Sequence, residues 1–126
     1  MLRRIGLESL AHLFAAVMVL VAVNAFTASA GPSKGNPAAG KTIFMSKCIV
    51  CHKADGSGGV KLTGNPTPNW RDAKRMSDPK YNDDYLRDCI TNGKTPSGMV
   101  AWGKTGQIKP AQIEDLIAFI RTFSKK

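Results

Sequence analysis

The run "KCIVCH", Lys47 to His52, constrains this chain more than any other feature. It sets Cys48 and Cys51 three positions apart and places His52 directly behind the second. The chain has only one further cysteine, Cys89, and one further histidine, His12. Three cysteines cannot all pair with one another. A Cys48–Cys51 disulfide closes a tiny loop and removes little entropy from the unfolded chain. A structural zinc site needs four nitrogen or sulfur ligands, usually in two pairs, and here there is one pair with one adjacent histidine. A thioredoxin-like dithiol would follow a strand in an α/β pattern, which this sequence lacks. The chain therefore has to fold around something that takes both thiols and the neighbouring imidazole together.

The first thirty residues differ from the rest. Arg3 and Arg4 form a basic start, "LFAAVMVLVAV" from Leu13 to Val23 is an uncharged apolar run, and "ASA" from Ala28 to Ala30 offers small residues for cleavage. This is the pattern of a secretory signal cut after Ala30. The other reading is an uncleaved membrane anchor, against which the run is short and diluted by Asn24, Thr27 and Ser29. The organisation expected is a signal peptide over 1–30, a flexible leader over 31–35 and one domain over 36–126. Export to a periplasm or an equivalent extracytoplasmic compartment follows. The whole chain has 18 basic and 9 acidic residues; losing Arg3, Arg4 and Glu8 leaves 16 against 8, a charge of +8 on the domain. Nucleic acid is a poor partner for an exported protein. An acidic protein surface is a better one, because opposite fields steer encounter, although lysines also serve solubility alone. So small a domain buries limited apolar surface and gains from a cofactor in its core.

The remaining sequence reads as helices joined by long loops. "NPAAGKTIFMSKC" starts a helix with Asn36 as cap and Pro37 in the first turn, and Gly40 and Phe44 share a face. Ala54 to Asn69 is rich in Gly, Pro, Thr and Asn and reads as loop. A short helix is expected near Asp72 to Met76. "NDDYLRDCITNG" is a helix capped by Asn82 and ended by Asn92-Gly93, with Leu86, Cys89 and Ile90 on its buried face. "PAQIEDLIAFIRTF" is the last, with a stripe of Ile113, Leu116, Ile117 and Ile120 widened by Phe119 and Phe123. No strand of convincing length is found. The domain is all-α: three main helices and long loops that wrap something functional.

C-x-x-C-H is the attachment motif of c-type haem. Residues three apart on a helical turn share a face, so two thiols can reach the two vinyl groups on one edge of the ring. His52 follows at once and can turn toward the iron. The covalent bonds retain the haem in an exported protein, and the ring supplies core that the chain lacks. With "GKTIFMSKCIVCHKADGSGG", "YLRDCITNGKTPSGMVAWG" and "IEDLIAFIRTF", the chain resembles the class I, single-haem c-type cytochromes over nearly all of residues 36 to 124. The resemblance implies the small cytochrome c fold around one covalent haem c. It implies close crossing of the first and last helices, with Gly40 and Phe44 opposite Ala118 and Phe119. It also implies an axial Met from the loop before the last helix, where Met99 stands. Such a thioether raises the reduction potential. The family commonly has Pro directly after this Met, where this chain has Val100. It often has Pro near Val60, whose carbonyl orients the proximal His; Pro66 and Pro68 are the candidates here.

The distal ligand has three readings. Met99 is favoured by its order in the chain and its Gly-rich loop. Met45 is expected in the core of the first helix and Met76 in surface or loop packing. Cys89 is either a small buried hydrophobe or, since the resemblance turns its helix toward the distal side, a thiolate ligand that would lower the potential. The third reading is an open site. Trp102 and Trp70 contact the haem or pack in the core, and Arg71 and Arg75 are candidates to neutralise propionates. The expected function is single-electron transfer between redox partners with acidic docking surfaces, within a larger redox complex or outside one. Lys47, Lys53, Lys61, Lys94 and Lys104 would form the docking ring. The alternative is a binder of NO or CO with a displaceable or Cys distal ligand. No paired carboxylates or nucleophile–base set suggest an enzyme.

Overall fold

A computed structural model describes residues 35–125. The expected signal peptide, and all of the 31–35 leader except Gly35, lie outside the described residues. These form five α-helices and no strand: α1 Pro37–Lys47, α2 Ile49–His52, α3 Ala73–Ser77, α4 Asp83–Asn92 and α5 Pro110–Ile120. Short 3-10 turns lie at Pro79–Tyr81, Thr95–Ser97 and Phe123–Lys125.

α1 begins where the Asn36 side chain accepts from the amides of Ala38 (2.9 Å) and Ala39 (3.4 Å), with Pro37 at the first helical position. The Asn36 amide donates to Asp115 Oδ1 at 2.7 Å, tying the start of α1 to α5. The two helices cross in contact. A methyl group at Gly40 would overlap the Asp115 carbonyl and lie 2.9 Å from the Leu116 amide nitrogen. The small residue of α1 therefore meets the Asp115–Leu116 peptide, about one turn before the expected Ala118. Phe44 does meet Phe119 as expected, ring centroids 5.2 Å apart, and also Phe123 at 5.4 Å and Trp70 at 5.9 Å. It is fully buried, as are Ile108 and Leu116.

α4 is capped by Asn82, whose side chain accepts from the Tyr85 amide at 2.9 Å, and Asp83 and Asp84 occupy its first turn. Anionic side chains there suit the positive end of the helix dipole. Leu86, Cys89 and Ile90 are buried on one face. α5 buries Ile113, Leu116, Ile117 and Ile120 as the apolar stripe predicts. It stops three residues earlier than that stripe suggests: Thr122 donates to the Phe119 carbonyl at 2.9 Å, and Phe123 turns into the core. The Arg121 guanidinium leaves the helix to bind Asp83, the Met76 carbonyl and the Tyr81 carbonyl.

Two methionines exchange their expected places. Met76 is buried within α3, while Met45 is 40% exposed. Met45 follows Phe44, and adjacent helical residues point about a quarter-turn apart, so burying Phe44 turns Met45 outward. Met76 is flanked by charged residues, yet α3 packs its one large apolar side chain inward and leaves Lys74 and Ser77 outside.

Candidate cofactor site

A cavity of about 400 Å³ runs into the helical core, within the range of pockets that bury a small organic ligand. Cys48 ends α1, its amide donating to the Phe44 carbonyl at 2.9 Å. The single turn of α2 then carries Cys51 and His52, with the His52 amide returning to the Cys48 carbonyl at 2.9 Å. All three side chains line the cavity. Both thiols are free and half-buried, so no disulfide joins them. Burial pushes the Cys48 thiol up to about 11, with Cys51 beside it adding and Lys47 opposing. Burial also pushes the His52 imidazole down to about 4, so the ring is neutral at pH 7 and keeps a free lone pair.

His52 is 7% exposed, and its Nδ1 has no hydrogen-bond partner. An unpaired buried polar atom is costly and points to a group that completes the site. Neither Pro66 nor Pro68 accepts from it, although both line the cavity. The His52 ring is held by stacking on Trp70, centroids 4.2 Å apart and planes 12° from parallel. Trp70 in turn rests on Phe44 and Phe123.

The same cavity gathers Met99, Cys89 and Trp102. Met99 is held by backbone geometry. It forms an isolated antiparallel bridge with Lys94, with mutual amide-to-carbonyl bonds of 3.1 and 3.2 Å. Gly98 before it is left-handed at φ 78°, and Gly93 (φ 71°) lies so close that an added methyl would stand 2.6 Å from the Met99 carbonyl oxygen. Cys89 is a buried thiol on α4. Trp102 is half-buried, with Lys47 Nζ 5.3 Å from its ring centroid. Cys48, Cys51, His52, Trp70, Cys89, Met99 and Trp102 thus line one cavity, although 51 positions separate Cys48 from Met99.

The two arginines divide. Arg75 lines the cavity with its guanidinium 4.1 Å from the Tyr81 ring centroid. Arg71 instead pairs with Asp55 at 3.0 Å and is absent from the cavity lining. Ile108, Tyr81 and Tyr85 also line the cavity without having been anticipated. A lone isoleucine in a polar loop and Tyr81 in a charged stretch carry no periodic signal, whereas Tyr85 stands four residues before Cys89 on α4 and shares its face. Among the described residues no three His, Cys, Asp or Glu converge as a metal cluster. Two thiols and a neutral, unpartnered imidazole on one cavity wall fit covalent attachment of a haem.

Comparison with known proteins points the same way. The family model described as cytochrome C oxidase, cbb3-type, subunit III matches residues 35–120. The chain is 34% identical to cytochrome c6 of Rippkaea orientalis (strain PCC 8801 / RF-1) over 86 residues, 68% of this chain and 69% of that protein. It is 33% identical to the cbb3-type cytochrome c oxidase subunit FixP of Bradyrhizobium sp. (strain ORS 278) over 90 residues. That match covers 69% of this chain but only 30% of FixP. Cytochrome c of Theileria annulata is 28% identical over 104 residues, 74% of this chain and 90% of that protein. No solved structure gives a significant match. The chain belongs to the cytochrome c family that this model describes: it is a class I c-type cytochrome, built to carry one covalent haem c on its Cys48-x-x-Cys51-His52 motif.

Proposed function

We propose that this protein is an exported electron carrier whose haem is held by Cys48, Cys51 and His52 and closed on the distal side by Met99. When bound, the haem supplies reversible one-electron chemistry at its iron. The chain's own residues attach it, ligate it and keep water away. The observation that carries the reading is the cavity itself, which joins the attachment motif to Met99 through walls that are largely apolar: Leu86, Ile90, Ile108, Leu116 and Ile120. Trp70 steadies the His52 ring, and Trp102 covers the cavity beside Lys47. A neutral His with a thioether favours reduced iron and a high potential. Cys89 serves as a buried apolar wall residue rather than as ligand, because Met99 is the sulfur fixed by glycine-dependent backbone on both sides.

Docking falls at the cavity mouth. Leu62 (50% exposed) and Val100 (45%) stand there as exposed apolar side chains. Lys47, Lys53, Lys61 and Lys104 are exposed, whereas Lys94 is engaged with Asp88 at 3.4 Å. An acidic partner surface would meet this ring in a weak, fast encounter. A place in a larger oxidase complex is compatible with the resemblance to FixP. The mature chain begins at Gly31 after removal of a signal peptide over 1–30, with the leader over 31–35 and the domain over 36–126.

The test is the near-infrared absorption of the ferric holoprotein. A Met–Fe(III) charge-transfer band is expected, lost in Met99→Ala and kept in Cys89→Ser, and the reduced protein should resist CO. A band-free spectrum that changes in Cys89→Ser would overturn Met99 as ligand, and rapid CO binding would turn the assignment toward a gas-binding haem protein.

A further inference from the structure

Two loops that flank the cavity are joined to each other through Thr63, Gly64 and Pro96, none of which has been given a role so far. The first, 59–67, is closed at its base. Gly59 donates to the Thr67 carbonyl at 2.9 Å and Thr67 to the Val60 carbonyl at 2.9 Å. The Thr67 hydroxyl accepts from the Val60 amide at 3.0 Å and donates to the Cys51 carbonyl at 2.7 Å, which pins this loop to the attachment motif. The second loop, 94–99, is closed by the Lys94–Met99 bridge around the turn Thr95–Ser97. Leu62, Asn65 and Pro66 of the first loop and Ser97, Gly98 and Met99 of the second line the same cavity.

The loops meet at their tips. The Thr63 hydroxyl donates to the Pro96 carbonyl at 3.0 Å, a bond spanning 33 positions in sequence. Gly64 lies against the same peptide, so that an added methyl would stand 2.5 Å from the Pro96 oxygen and 3.2 Å from its carbon. A methyl at Gly98 would lie 3.2 Å from Leu62 Cβ and Cδ1, so the Leu62 side chain packs on the second loop beside the hydrogen bond. The Met99 loop makes no helix of its own beyond one 3-10 turn, so its position depends on such outside contacts.

We propose that Thr63 and Gly64 are positioning residues for the distal ligand. The 59–67 loop is a strap that reaches from Cys51 across the cavity edge and holds the Met99 loop in place. This rests on Met99 being the ligand. Releasing the strap leaves the attachment motif intact and frees the Met99 loop to move away, which sets how fast an external ligand enters.

The experiment is cyanide binding to the ferric full-length holoprotein by stopped flow, taken to the saturating rate at which loss of the distal ligand limits entry. Thr63→Val removes only the hydrogen bond and should raise that limiting rate about fivefold, the worth of one ordinary hydrogen bond. Gly64→Ala wedges the loops apart and should raise it about tenfold or more. In both, the Met99 charge-transfer band should remain at rest. In a Met99→Ala background, adding Thr63→Val should leave the rate unchanged. Equal limiting rates in the parent and both strap variants, with the band present in all three, would overturn the strap while leaving Met99 as ligand. A parent without the band, or with no saturating rate, would overturn the ligand assignment and the strap together.

Discussion

Gly40→Ala separates two opposed effects whose difference gives a sign. Gly40 lies within α1, so alanine there gains about 1 kcal/mol of helix propensity. At an unencumbered site the substitution would stabilise the protein. Here the new methyl would overlap the Asp115 carbonyl and press on the Leu116 amide nitrogen. Both are backbone atoms of α5 and cannot swing aside. The helices must part by on the order of 1 Å, and a gap of that size forfeits a quarter to a half of each contact's attraction across the seam. The seam includes the fully buried Phe44 and Leu116 and the Phe44–Phe119 pair. Overpacking of this kind costs about 3 kcal/mol, so the net loss is about 2 kcal/mol, or about 8 to 16 °C in melting temperature for a domain of this length. Thermal unfolding of the ferric holoprotein followed by far-UV circular dichroism measures it, with Gly40→Ser expected to fall further because serine has only part of alanine's propensity gain and adds an oxygen to the seam. A melting temperature equal to or above the parent's would refute the reasoning, because propensity alone would then be deciding the outcome.

Two other outcomes follow from charge. Arg87 donates to both Glu114 oxygens, at 2.6 and 2.9 Å, and holds that carboxyl below its ordinary value of 4.5. A depressed carboxylate pKa means the unfolded chain takes up the proton first, so the stabilisation is present above about 4.5 and disappears as pH falls through the lower folded value. Denaturant midpoints measured from pH 6 to pH 3 should fall less steeply in Glu114→Gln than in the parent, and parallel curves would count against it. For docking, a double Lys47→Glu, Lys53→Glu variant should slow reduction by an acidic redox partner about tenfold at 0.01 M salt. The difference should nearly vanish at 0.15 M, where the screening length has shrunk from about 30 Å to about 8 Å. A salt-independent difference would point to lost contact rather than lost steering.

What the sequence determined by itself is local. Cys48, Cys51 and His52 are neighbours in the chain, so their spacing named the chemistry before any fold was known. Asn36, Asn82 and Pro110 mark helix starts that stand where the caps predict, because capping is a contact between residues two or three apart. The stripes of α4 and α5 face inward for the same reason of period. Only the tertiary structure decided the rest. It buried Met76 and exposed Met45, reversing their expected places, because a helix that commits Phe44 to the core has no freedom left for its neighbour. It sent Arg71 to Asp55, stacked Trp70 on His52 and brought Ile108, Tyr81 and Tyr85 to the cavity. It also placed Thr63 against Pro96. Their loops have no period from which a facing direction could be read, and which loop lies against which is fixed by close packing among residues far apart in sequence.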